Sequence, residues 1–359
     1  MPEKPFRVLS LDGGGMRGAY TATYLSTVAA GFARQRGAPS LDVGAGFDLI
    51  VGTSVGGIVA CALAANVPLA RVVDLFRSHG SRFFPRKVPA RVGLSLIWDL
   101  FGRPAAIRSG NDALRDALRG LFGDTTLTEV YARRRVALAI TAVELHQHRS
   151  WIFKTPHLAG SNRRDDGCRL VDVCLATSAA PIFRSLAALD HPDDGPSGCR
   201  VFADGGLWAN NPVLVALIEA LRVAQEGTEI QIFCLGTCPR TAGERISKTD
   251  VHRGLAEWGF GGRVAPLAID AQEAAFDCMA RLIKPHLNRR CEIVRFPSET
   301  IPAALAPYLD LDDTRSEAFD ILINQARSDA DITNSLCQNV SDPEGQLIRS
   351  LFSSAPLSR

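Results

Sequence analysis

The sequence predicts a three-layer α/β/α sandwich built on a mostly parallel sheet, and three observations predict it. Short apolar runs alternate with helical segments along most of the 359 residues. The runs are apolar throughout rather than at every second position, as in strands covered on both faces. Glycine-rich junctions follow two of the runs directly, at 13–15 and 52–56, where such a sheet passes from strand to helix.

Residues 6–11 form the first strand and 16–36 a helix with Ala, Leu and Val on one side. The run 47–52 is the second buried strand and leads into the alanine-rich helix 55–65. Pro68 opens a further helix to about residue 79, since proline suits a first helical turn. Later strands are expected at 136–143, 150–154, 200–203, 229–235 and 291–296, with helices at 111–121, 170–178, 212–225, 270–287 and 314–337. Two segments break the rhythm: 81–109, rich in proline, arginine and aromatics, and the polar hairpin or loop 190–198. Within the first, Leu94, Ile97, Trp98 and Phe101 make a helical stripe rimmed by Arg82, Arg86, Lys87, Arg91, Arg103 and Arg108. An ordinary helix packed on the core accounts for the stripe more simply than an interfacial lid does.

Hydrophobic residues make up 46% of the chain and charged residues 22%, the balance of a globular enzyme. A net charge of +2 is too small to mark a nucleic acid polymer as partner. No run approaches the roughly 18 apolar residues of a spanning helix, and residues 1–5 carry no secretory leader pattern. The nine scattered cysteines then read as reduced thiols of a cytoplasmic protein. Cys234 and Cys238 lack a second pair at zinc-ligand spacing, so neither metal nor other cofactor is expected.

The chemistry gathers at three glycine motifs. Ser54, within Gly52-Thr53-Ser54-Val55-Gly56, follows a strand and opens a helix, the form of a nucleophile elbow. Gly13, Gly14 and Gly15 can turn successive N–H groups toward one developing oxyanion, with Arg17 as a fixed charge beside them. Asp204, at a strand end before Gly205 and Gly206, can act as a base bonded directly to the serine. None of the seven histidines stands in such a context. Two other sites remain open at this point. Gly13-x-Gly15-x-x-Gly18 with Asp42 fits a dinucleotide fingerprint, but leaves Ser54 and Asp204 without a role. A triad of Ser54, Asp204 and either His252 or His286 keeps the order of α/β-hydrolases, although the elbow comes early for that fold.

Four motifs together resemble the patatin-like phospholipases, acyl hydrolases with a Ser–Asp dyad on an α/β/α sandwich. They are Asp12-Gly13-Gly14-Gly15-Met16-Arg17-Gly18, the elbow at 52–56, Ala176-Thr177-Ser178-Ala179-Ala180-Pro181, and Asp204-Gly205-Gly206 running into Asn210-Asn211-Pro212. The resemblance implies Ser54 as nucleophile, Asp204 as base, the amides of Gly13 to Gly15 as oxyanion hole, and a catalytic core at 6–215. The remainder, 216–359, carries no motif and either packs on the same domain or forms a small cap. The opening at 7–22 is also similar to the cyclic-nucleotide-activated effector phospholipases of anti-phage signalling. That likeness implies a phospholipid membrane surface as peripheral partner, a cyclic di- or trinucleotide activator, and a homo-oligomer on activation. A catalytically idle lipid-binding protein is the non-enzymatic alternative.

Overall fold

The structure is a computed structural model that describes residues 4–84, 94–190, 198–238, 243, 245–255, 257–258, 262–297 and 301–358. The amino-terminal half alternates β1 (Phe6–Leu11), α1 (Gly18–Gln35), β2 (Leu49–Thr53), α2 (Val55–Ala64), α3 (Leu69–Phe83), α4 (Leu94–Phe122), α5 (Leu127–Arg134) and β3 (Ala137–Glu144). There follow β4 (Arg149–Lys154), α6 (Leu170–Thr177), β5 (Ala187–Asp190), β6 (Cys199–Asp204), the short α7 (Gly206–Ala209) and α8 (Val213–Val223). The last third supplies β7 (Ile230–Leu235), α9 (Val264–Ile283), β8 (Cys291–Phe296), α10 (Ser316–Leu336) and α11 (Pro343–Ser354).

These strands make one eight-stranded sheet. β1 pairs in parallel with β2 and β7, β2 with β3, and β7 with β8. β3 pairs antiparallel with β4 and β6, and β6 antiparallel with β5. Successive residues of the central strands feed opposite layers, as a pleated strand requires. Val8, Leu49, Val51 and Ile232 pack with α8, whereas Leu9, Ile50, Leu138 and Phe233 pack with α1, α2, α6, α10 and α11. The architecture is the α/β/α sandwich that the continuous apolar runs predict. Chain beyond residue 216 extends the sheet by β7 and β8 and covers α1 with α10.

Several boundaries move. α4 is much longer than the expected 111–121 helix and runs through Pro104. Four elements were not expected: β5, α5, α7 and α11. For α5 and α11 the start signals were present. Thr126 and Glu129 form a reciprocal capping box, and Asp342 caps the amides of Glu344 and Gly345 ahead of Pro343. The side chains of the 94–101 stripe, residues 86, 87 and 91 of its rim, and residues 191–197 of the polar hairpin lie outside the described residues.

Candidate active site

The register of β3 explains how two distant motifs meet. One edge of β3 pairs with β4 over 139–144, so β2 and β6 must share the other edge. β2 runs parallel to β3 and ends with Thr53 opposite Thr141. β6 runs antiparallel and ends with Asp204 opposite Ala142, the next residue. Two strands therefore terminate head to head on one edge, each delivering its next residue to the same point.

Ser54 leaves β2 with φ 55° and ψ −125°, a left-handed turn that lifts its hydroxyl out of the sheet. Its Oγ donates to Oδ2 of Asp204 at 2.8 Å. The other carboxylate oxygen, Oδ1, accepts the Gly206 amide at 2.7 Å. The turn after α6 ties both strand ends together. Thr177 Oγ1 accepts the Ser54 amide at 2.8 Å, the Thr177 carbonyl accepts the Gly205 amide at 3.2 Å, and the Ala179 carbonyl accepts the Asp204 amide at 3.0 Å. Burial pushes the Asp204 carboxyl up to about 6, with the Gly206 amide, the Ser54 hydroxyl and the charge of Arg184 pulling against it. Arg184 is itself buried, and burial lowers its guanidinium to about 10.

The glycine loop lies against this pair. A Cβ on Gly56 would fall 2.5 Å from the carbonyl oxygens of Leu11 and Asp12, so only glycine lets α2 start this close to the end of β1. A Cβ on Gly13 would come within 3.2 Å of Ser54 Cβ, which shows how near the loop stands to the serine. Gly13 donates its own amide to the Asn210 carbonyl at 2.9 Å. The amides of Gly14 and Gly15 have no acceptor among the described residues. Gly15 takes φ 58°, and Arg17 Nε donates to the Gly14 carbonyl at 3.3 Å, which fixes the peptide plane carrying the Gly15 N–H. Arg17 is buried. Gly52 and Gly205 pack against Gly56 and Thr141 respectively, and Gly206 against Asn210.

The motif-free last third supplies the loop's frame. Arg295 of β8 donates to Asp12 Oδ2 at 2.6 Å and to Asp277 of α9 at 2.9 Å. Asn210 bridges the Gly13 carbonyl to Glu273 of α9, and its amide donates to Gln272 at 2.8 Å. Thr237 Oγ1 donates to the Gly13 carbonyl at 3.0 Å, and the Leu311 carbonyl accepts the Met16 amide at 2.9 Å. Burial raises Asp12 to about 7 despite Arg295. Thr237, Gln272, Glu273, Asp277, Arg295 and Leu311 sit in no sequence motif. Their partner Asn210 lies inside one, without a role attached.

The rival sites are not assembled. Asp42 is forked by Arg134 at 2.7 and 2.8 Å, a structural ion pair. His252 and His286 are exposed, and no imidazole stands between Ser54 and Asp204, which bond directly. All nine cysteines are free thiols. No helix among the described residues is long and apolar enough to cross a membrane.

Residues 9–217 match the patatin-like phospholipase family. The chain belongs to that family. It is 34% identical over 279 residues to a cGAMP-activated phospholipase of Pseudomonas aeruginosa, covering 77% of this chain and 74% of the relative. A protein of the same description from Vibrio cholerae is 29% identical over 335 residues, 89% of each chain. One from Escherichia coli is 29% identical across 98% of this chain and 91% of its own. Among solved structures, human GIVD cytosolic phospholipase A2 superposes with a TM-score of 0.42 at 12% identity, covering 97% of this chain and 60% of that one.

Proposed function

We propose that this patatin-like protein hydrolyses fatty-acyl esters of membrane phospholipids through an acyl-enzyme on Ser54. The observation that carries the reading is the direct 2.8 Å bond from Ser54 Oγ to Asp204 Oδ2, beside a loop with two uncommitted amides. As Ser54 Oγ attacks the ester carbonyl, its proton passes to Asp204, and the carbonyl π electrons move onto oxygen. The Gly14 and Gly15 amides and the amino-terminal end of α2 stabilise that oxyanion. Gly13 is left out of the donor set because Asn210 holds its amide. When the tetrahedral intermediate collapses, the lysolipid oxygen leaves with the proton from Asp204. Water repeats the sequence and releases the fatty acid.

The names of the relatives support a second layer of the same reading, in which a cyclic nucleotide switches the enzyme on; the anti-phage role rests on the likeness of residues 7–22 to effector phospholipases. Peripheral action at the inner face of the membrane, with assembly on activation, completes it. Release of labelled fatty acid from phospholipid vesicles tests the chemistry, with wild type beside Ser54→Ala and Asp204→Asn, each with and without a cyclic-nucleotide panel. Loss of about a thousandfold or more is expected in both variants. Undiminished release by Ser54→Ala sinks the mechanism, and equal release with and without every nucleotide sinks the activation.

A further inference from the structure

α9 packs Phe276 and Ala280 against the core but also carries apolar residues on its outer side. Asp270, Gln272, Glu273 and Asp277 occupy its less exposed side, and three of them bond Asn210, Asn211 and Arg295. Every exposed position along the helix is apolar except Arg281. Val264, Leu267, Met279 and Leu282 are 50%, 53%, 40% and 64% exposed, with Ala271 and Ala275 on the stripe between them. A helix on a globular surface ordinarily turns the other way, so an outward apolar stripe this long marks a partner surface.

The chain entering α9 continues the pattern with basic residues added. Ile246, Val251 and Leu255 are exposed there, interleaved with exposed Arg245 and Lys248 and with one exposed carboxylate, Asp250, which accepts the Ser247 hydroxyl. The Arg263 amide bonds back to the Trp258 carbonyl and so joins this segment to the helix start. Apolar side chains among cations, with no carboxylate among the exposed α9 positions, suit the boundary between anionic head groups and acyl chains. Length and composition forbid spanning, since no described helix can cross a bilayer. A second copy would meet apolar surface with apolar surface but would leave the cations unanswered.

We infer that the outer face of α9, with residues 245–255, is the surface on which the protein docks onto an anionic phospholipid bilayer. The inference rests on the phospholipase reading for its choice of partner. Because the inner face of the same helix holds the Gly13 carbonyl through Glu273 and Asn210, and Asp12 through Asp277 and Arg295, docking would set the oxyanion loop over the lipid beneath.

The test uses full-length protein carrying Ser54→Ala, so that binding is read without hydrolysis, sedimented with vesicles of phosphatidylcholine and phosphatidylglycerol. The double variant Leu267→Glu/Leu282→Glu is expected to bind at least tenfold more weakly, and Val264→Glu/Met279→Glu to do the same from other turns. Hydrolysis of a short-chain soluble ester by the same pairs on the active background is expected to match wild type, since all four side chains face solvent. Undiminished vesicle binding in both double variants overturns the docking surface. So does loss of a dimer by light scattering with vesicle binding intact, which would assign the face to a second copy. If the active protein cleaves no ester while vesicle binding still falls, the phospholipase reading fails and the docking surface stands.

Discussion

Arg295 and Asp12 form a 2.6 Å ion pair between residues 283 positions apart, tying β8 to the glycine loop. Both side chains are largely buried, at 21% and 9% exposure, and Arg295 reaches Asp277 with its other nitrogens. Removing one partner of a buried pair strands the other and costs about 3–5 kcal/mol. Arg295→Met is therefore expected to lose stability of that order in a urea melt. It should also lower kcat more than it raises KM on a soluble ester, because the loop it frames carries the proposed oxyanion donors. A variant with wild-type stability and kcat would show that the pair only decorates the sheet edge.

In the proposed mechanism Asp204 must be ionised to accept the serine proton, and burial raises its carboxyl to about 6. The log of kcat/KM is expected to rise with pH and level off above about 6. Arg184 pulls that value down. Arg184→Met keeps much of the apolar stem and removes the charge, so the acid limb is expected to move to higher pH. Activity at pH 6 then falls while activity at pH 9 is kept. A pH–rate profile that scales down uniformly, without moving, would show that Arg184 does not act through Asp204.

The same raised carboxyls make a stability prediction. Asp12 and Asp204 both hold their protons more tightly folded, at about 7 and about 6, than at the ordinary 3.8. The folded state thus binds more protons than the unfolded state across this window. Stability from these groups is full below about pH 4 and is lost as pH rises toward 7. Asp204→Asn removes its share, so the melting temperature of the variant relative to wild type should climb between pH 4 and 7. A constant difference across that range would contradict the buried, proton-holding carboxyl.

Where the chain's own pattern speaks locally, the sequence was legible. β1, β2 and β7 are buried on both faces, so their unbroken apolar runs announced a covered parallel sheet. Ser54, Asp204 and the glycine loop are each a strand end followed by glycine, a signal contained in a few residues. The frame around them was illegible for a physical reason. Glu273, Asp277 and Arg295 serve partners at 210, 211 and 12, and nothing in their own neighbourhood records that. α9 also defeats the usual rule, since its carboxylates turn inward while Val264, Leu267, Met279 and Leu282 turn outward. Nor does Gly-Gly-Gly say which amides are free, because the answer depends on where the Asn210 carbonyl ends up.

The elbow itself carries a measurable strain. Ser54 is held at φ 55° and ψ −125°, a region that costs a residue with a Cβ about 1–3 kcal/mol. The surrounding turn imposes it: Thr177 holds the Ser54 amide, and Gly56 keeps α2 pressed against the end of β1. Ser54→Ala and Ser54→Gly both remove the hydroxyl and are expected to abolish ester hydrolysis alike. They should differ in stability, because only glycine occupies that region without steric cost, offset by roughly 0.5–1 kcal/mol of extra chain entropy in the unfolded state. Ser54→Gly is thus expected to exceed Ser54→Ala by about 1 kcal/mol, or roughly 2 °C in melting temperature for a chain of this size. If the alanine variant melts at the same temperature or higher, the elbow is relaxed, and the placement of the hydroxyl owes nothing to stored backbone strain.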